Sequence, residues 1–285
     1  MSTHHQITAG LEIGETEAVE PTLRYRMRIA YDGSEFYGWQ HQQRPGEAPM
    51  RTVQGVLRDA MQRALGQPIK LQGASRTDSG VHAVGQAAHF DAATRIPLDR
   101  IAKAINCQLP ADVEVREVAL APPGFDAIRT AVAKQYRYRI WTTEHRPLHL
   151  RRMVWHCWTP LDVQAMREAA AMLEGEHDFA GFATAGHGRQ TTVRTINKCE
   201  VLAMPRDPVL GGPELHVIVS GNGFLYNMVR IVVGTLVDIG RGRWGPSHVQ
   251  RLLTEGDRAA AGPTAPAHGL MLEWIRYRGD ADEAC

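Results

Sequence analysis

The stretch LRYRMRIAYDG, residues 23–33, alternates without a break. Leu23, Tyr25, Met27 and Ile29 fall on one face, and Arg24, Arg26 and Arg28 on the other. A period of two marks a half-buried strand, here with a basic outer face. Past a Gly- and Gln-rich loop the period changes. Val53, Val56, Leu57, Ala60, Met61, Ala64 and Leu65 recur at helical spacing, with Thr52 placed as N-cap and Gly66 as terminator. PIKLQG (68–73) and VGQAAHF (84–90) read as strands. PLDRIAKAINCQLP (97–110) reads as a helix opened by a proline, with Leu98, Ile101, Ala102 and Ile105 on one face. VEVREVAL (113–120) alternates again as a strand.

The order strand, helix, strand, strand, helix, strand then recurs. AVAKQYRYRIW (131–141) is a strand, and LDVQAMREAAAMLEG (161–175) a helix closed by Gly175. VRTINKCEVLAM (193–204) and ELHVIVSG (214–221) are strands. FLYNMVRIVVGTLVDIG (224–240) is a helix, SHVQRLLTEG (247–256) a short one, and LMLEWIRYR (270–278) the last strand. Two βαββαβ units predict an α+β protein of two ferredoxin-like halves, residues 23–128 and 129–278, sharing one extended antiparallel sheet with helices on one side. Residues 1–22 read as a disordered acidic tail, and 279–285 as a second acidic tail. The uncovered face of such a sheet, lined by arginines, would form a cleft between the halves.

Composition narrows the function. The chain has 285 residues, 44% hydrophobic and 22% charged, as a globular protein with a substantial core requires. Cys107, Cys157, Cys199 and Cys285 lie far apart with no C-x-x-C pair, which points to a reducing compartment such as the cytoplasm rather than to a disulfide framework or zinc ribbon. The first residues lack the basic start and apolar run of a signal peptide, and no apolar segment reaches the length of a membrane span. The net charge is only +1, but seven of the 31 acids sit in the two tails. From Arg129 to Arg152, seven cations (Arg129, Lys134, Arg137, Arg139, Arg146, Arg151, Arg152) face Glu144 alone. Charge alone leaves two readings open: a solvated face with its counter-charges elsewhere, or a strip that binds a polyanion.

The stretch GASRTDSGVHAVGQ (73–86) is chemically the densest. Asp78 fits a turn, since Asp-Ser-Gly is good turn chemistry. It also fits half of a dimeric aspartic hydrolase, but Arg76 two residues away disfavours a carboxyl that must share a proton. The third reading is a lone carboxylate kept ionised to act on carbon. Its cation partner could be Arg76 or Arg230. The latter lies among Met228, Val229, Ile231, Val232 and Val233, where an unpaired charge is costly unless it snorkels to the surface. Tyr136 and Tyr138 share one strand face and Arg137 and Arg139 the other. A tyrosine there is either core or a stacking platform for a nucleobase. His82 and His89 are acid/base candidates. No metal-ligand spacing, Walker loop or dinucleotide fingerprint is present, and HRPLHLRRMVWHC (145–157) is too irregular to define a site. A purely RNA-binding module on the same basic sheet remains the rival from another class.

RTDSGVHAVGQ resembles the signature of the tRNA pseudouridine synthase A family. The resemblance extends over residues 24–278, through YDGSEFYGWQHQ, TVQGVLRDAM, KQYRY, EGEHDFAGF, GNGFLYNMVRIVVGTLVDIGRG and AGPTAPAHGLML. It implies the pseudouridine synthase fold, a homodimer without metal or cofactor, and isomerisation of uridine to pseudouridine at positions 38, 39 and 40 of the tRNA anticodon stem-loop. It implies that Asp78 is the nucleophile, Arg230 its ion-pair partner, and Arg76 a holder of flipped RNA. Tyr136 would stack near the target base, Leu270 would touch it, and Lys134 and Arg137 would help bind substrate. Ile128 stands where many members have arginine, with Arg129 beside it, which leaves one backbone contact in question.

Overall fold

The computed structural model describes residues 20–42, 46, 50–184, 190–205 and 212–280. Nearly all of the N-terminal tail, and the last five residues of the C-terminal one, lie outside these.

Ten strands form one sheet. They are β1 (Leu23–Tyr31), β2 (Gln72–Gly73), β3 (His82–Ala92), β4 (Val113–Leu120), β5 (Ala131–Thr142), β6 (Trp155–Cys157), β7 (Gly175–Asp178), β8 (Val193–Ala203), β9 (Glu214–Gly221) and β10 (Leu270–Tyr277). The helices are α1 (Val53–Leu65), α2 (Leu98–Asn106), α3 (Val163–Ala171), α4 (Met228–Gly240) and α5 (His248–Glu255).

The sheet order is β4-β1-β3-β10-β5-β9-β8-β7, with β2 on β3 and β6 on β5. Within it the two units share one order. Numbering each unit's four main strands along the chain, both β4-β1-β3-β2 and β10-β5-β9-β8 run fourth, first, third, second. That is the antiparallel ferredoxin-like arrangement anticipated from the element order. The halves join where β3 runs parallel to β10, through Met271↔His82 and Leu272↔Ala83.

One face of the sheet carries the core. Register places Tyr31 beside Ala83, Ala83 beside Leu272, Leu272 beside Tyr136, and Tyr136 beside Val219. Directly paired residues share a face, so this buried row crosses the junction on one side. Val53, Leu57, Met61, Ile101 and Ile105 cover the first half, and Met166, Val232 and Leu236 the second. The opposite face carries the alternating arginines.

Local signals act as expected in α1. Thr52 accepts from the Gly55 amide, and Gly66 ends the helix in the left-handed conformation. Four expectations need correction. The α3 helix stops at Ala171, and Gly175 opens β7 instead of closing the helix. There the Glu174 carboxylate accepts from the Cys199 amide and draws the chain onto the edge of β8. The α4 helix begins only at Met228, because Asn227 holds a left-handed backbone. Only Gln72–Gly73 of PIKLQG pairs as a strand, since the Leu71 carbonyl accepts from the Gln54 side chain. Leu98 is exposed rather than on the buried face of α2. Strands β6 and β7 carry no alternation long enough to be seen in advance. Among the described residues no helix is long and apolar enough to cross a membrane.

Candidate active site

The site lies where the halves meet, on the helix-covered side. It is built from the loop before β3, the entry to α4, the β5 tyrosines and the turn before β10. Asp78 sits at the head of a tight turn, in which the Val81 amide donates to its carbonyl at 3.1 Å. Gly80 closes that turn at φ +79°, a conformation L side chains resist. The loop is clamped to the segment after β1. The Trp39 amide donates to the Thr77 carbonyl, the Ser79 hydroxyl donates to the Phe36 carbonyl, and the Tyr31 and Thr77 hydroxyls lie 2.7 Å apart. Gly73 has a structural reason: a Cβ there would lie 2.3 Å from the Trp39 ring, so the glycine admits the indole rather than a ligand.

Of the two cations weighed for Asp78, the structure selects the distant one. Arg230 Nη1 lies 3.1 Å from Asp78 Oδ2, across 152 residues of sequence. The Asp78 side chain is 26% exposed and that of Arg230 17%, so the carboxylate reaches open space while its partner is largely enclosed. Arg230 does not snorkel. Its Nε donates to the Ala265 carbonyl at 2.7 Å, and Nη1 also donates to Asn227 Oδ1 at 2.9 Å. Three acceptors from three segments fix the guanidinium plane, which fixes the carboxylate. Arg76 points to solvent and makes no ion pair among the described residues. It stands beside the nucleophile candidate, free to meet an anion.

Tyr136 is 6% exposed, with its hydroxyl 3.0 Å from the Ser75 hydroxyl and its ring edge-on to Phe224, centroids 5.3 Å apart. Burial pushes its phenol up to about 12; the Ser75 hydrogen bond opposes this and the Asp78 charge adds to it. It therefore stays a neutral hydroxyl at physiological pH, able to pack and to hydrogen-bond. Leu270, buried at the start of β10, pairs with Tyr138, whose hydroxyl donates to the Pro266 carbonyl. Leu270 thus lies on the same face as Tyr136.

Other expected site residues fall elsewhere. Lys134 Nζ donates to the Ala74 carbonyl at 2.8 Å, so it braces the base of the Asp78 loop. Arg137 lies on the opposite face, because side chains alternate along β5 and Tyr136 faces the site. Its Nε is 2.6 Å from Glu273, and Nη1 donates to His216 Nδ1. Nor are the sheet arginines a free cleft lining: Arg24 pairs with Asp91, Arg26 with Asp280, Arg28 with Glu117 and Arg139 with Glu214. For Arg137 and Arg139, within the basic strip, the reading of a face with its own counter-charges holds.

Neither histidine is placed for acid–base work. His82 is buried, with Nε2 2.8 Å from the Arg152 carbonyl and 3.2 Å from that of His268. Both are acceptors, so Nε2 carries a proton, while Nδ1 accepts from the Gly33 amide. His82 ties three segments to the exit of the Asp78 loop. His89 pairs in register with Arg26 on the opposite face and accepts from the Ala127 amide.

Asn227 escaped the sequence reading. It is the non-glycine residue with positive φ, +61°, among the described residues. Its Oδ1 accepts from Arg230 and its Nδ2 donates to Thr184 Oγ1 at 3.1 Å. Asparagine tolerates the left-handed region, and its place three residues before a buried arginine was the available signal. Among the described residues no group of three or more His, Cys, Asp or Glu is placed to hold a metal ion.

Comparison with known proteins identifies the family. A family model described as tRNA pseudouridine synthase matches residues 27–127 and 169–278. The tRNA pseudouridine synthase A of Geobacillus kaustophilus is 42% identical over 261 residues, covering 91% of this chain and 96% of that one. That of Halalkalibacterium halodurans is 45% identical over 249 residues (87% and 90%), and that of Geobacter sulfurreducens 42% over 252 residues (88% and 98%). With a family model over most of its length and relatives this similar across nearly their whole chains, the protein belongs to the tRNA pseudouridine synthase family.

Proposed function

We propose that the protein isomerises uridine to pseudouridine at positions 38, 39 and 40 of the tRNA anticodon stem-loop, with Asp78 as nucleophile. The observation that carries this reading is the Asp78–Arg230 pair at 3.1 Å beside the buried Tyr136, at the junction of the halves. A carboxylate held by a largely enclosed arginine, yet itself open to solvent, suits attack on an extruded nucleotide. Extrusion of the uridine costs a few kcal/mol when it is stacked. Arg76 is free to grip a phosphate and hold the nucleotide out. Tyr136 and Leu270 offer the apolar wall against which the uracil turns. The N1–C1′ bond breaks, the ring rotates, C5 bonds to C1′, the C5 proton is lost to solvent and N1 takes up a proton. Substrate and product share one formula, so the reaction needs no redox partner or group donor.

A pure binding module is disfavoured by Asp78 itself, since a carboxylate in a polyanion site repels phosphate. The family resemblance further supports a homodimer, a cytoplasmic location, and a division of the chain near residue 128 into two α/β halves. The test is to incubate a tRNA transcript carrying uridines at 38, 39 and 40 with the protein, then map pseudouridine by carbodiimide modification and primer extension. Stops at those three positions are expected. Binding without any stop would favour the binding module, and stops confined to other positions would refute the assignment of target.

A further inference from the structure

The chain between β5 and β6, together with Trp158 just past β6, forms a basic and aromatic platform that the catalytic reading does not use. The family model matches residues on either side of this segment and not the segment itself. Trp158 is 55% exposed. The Arg146 guanidinium lies 5.0 Å from its ring centroid, and the His156 ring 4.3 Å from it. Arg146 and Arg151 are exposed and have no carboxylate partner among the described residues; Arg151 meets only the Leu148 carbonyl. This separates them from the arginines of β1 and β5, each of which is paired with an acid.

The platform is held in shape and tied to the catalytic loop. His156 Nε2 lies 2.8 Å from the Thr143 carbonyl, and turns close at Leu150 and Val154. The Arg152 carbonyl receives the buried His82 Nε2. His82 is four residues from Asp78, at most about 14 Å of chain. The Arg151–Arg152 end of the platform is therefore anchored beside the loop that carries Asp78. A flat exposed ring flanked by a guanidinium suits the face of an unpaired base, and free arginines beside it suit the phosphates on either side.

The geometry points to a second RNA contact on this platform: Arg146 and Arg151 take backbone phosphates of the substrate, and a nucleobase outside the catalytic pocket stacks on Trp158. This rests on the reading of the Asp78 site as RNA-modifying. The test is the affinity of the full-length protein for a fluorescently labelled tRNA transcript across a KCl series, together with tritium release from the same tRNA carrying 5-tritiated uridine. The double variant Arg146→Gln/Arg151→Gln should flatten the plot of log affinity against log salt by about 1.5 to 2. Trp158→Ala should raise Kd about tenfold and leave that slope unchanged. Arg28→Gln, on the paired face, should stay within about twofold of wild type. At saturating tRNA all three should release tritium at the wild-type rate, so the loss appears in KM and not in kcat. Wild-type affinity and slope in the double variant and in Trp158→Ala would overturn the platform, as would an equal loss in Arg28→Gln. Affinity that depends on the platform, in a wild-type protein that releases no tritium, would sink the catalytic reading and leave the platform standing.

Discussion

Strand β5 divides two answers to the same sequence pattern. On one face Tyr136 and Tyr138 are buried beside Asp78 and Arg230. On the other, Arg137 and Arg139 enter a ladder with Glu273, His216 and Glu214. The proposed chemistry lies on the apolar face, where one carboxylate is left open and one arginine is enclosed. The basic face is electrically closed. A count of cations therefore does not by itself mark a surface for RNA; in the proposal above, the distinction is whether a cation already has an acid partner. The arginines of β1 and β5 are matched by acids, whereas among the described residues Arg76, Arg146 and Arg151 are not.

The contrast can be broken most sharply on the tyrosine face. Arg230→Met removes the cation that, among the described residues, pairs with Asp78, and should lower kcat by a factor of about 100 or more, in line with the loss of a preorganised charge contact. Retention of more than a tenth of the activity would mean that Asp78 does not depend on it. Next in size is Tyr136→Ala, which should reduce turnover more than tRNA affinity. A large affinity loss with unchanged turnover would contradict its place beside the reacting base.

A smaller effect isolates Asn227. Asn227→Gly keeps the left-handed backbone, so thermal stability should hold within about 1 kcal/mol, glycine being at ease there. It deletes one of the three acceptors for Arg230, and kcat should fall about tenfold with KM unchanged. Equal losses of stability and activity would make the residue merely structural.

On the arginine face the expected effect is on stability. Burial works against ionisation of Glu214, but hydrogen bonds from His216 and Arg139 outweigh it and hold the carboxyl at about 2. A depressed folded-state value means the contribution is complete above the unfolded value near 4.5 and is lost as pH falls toward 2. Glu214→Gln should remove roughly 2 to 3 kcal/mol of that acid-sensitive stability. Chemical denaturation between pH 7 and 2.5 would show it as a flatter pH dependence, with pseudouridine formation at neutral pH intact.

How far the sequence was legible follows from the range of the interactions. Alternation in residues 23–31 and 131–141 and the caps of α1 are local, and they are where expected. So is the repeated element order, from which the matching strand orders of the two halves follow. Strands β6 and β7 are three and four residues long and exist because neighbours pair with them, so no local period announces them. The Asp78–Arg230 pair was foreseeable because an arginine in an apolar helix demands a partner. The fate of Arg137 and Arg139 was not, because the acid that closes Arg139 lies 75 residues away and carries no local mark.

The central claim is that Asp78 acts on the uridine and Arg230 holds it for that step. It is tested most directly by tritium release from tRNA carrying 5-tritiated uridine, comparing wild type with Asp78→Asn. The asparagine keeps the shape and a hydrogen-bond acceptor for Arg230 while removing the charge. The account predicts release by the wild type and none by Asp78→Asn, with tRNA binding retained by both. Equal release from the two proteins would contradict it.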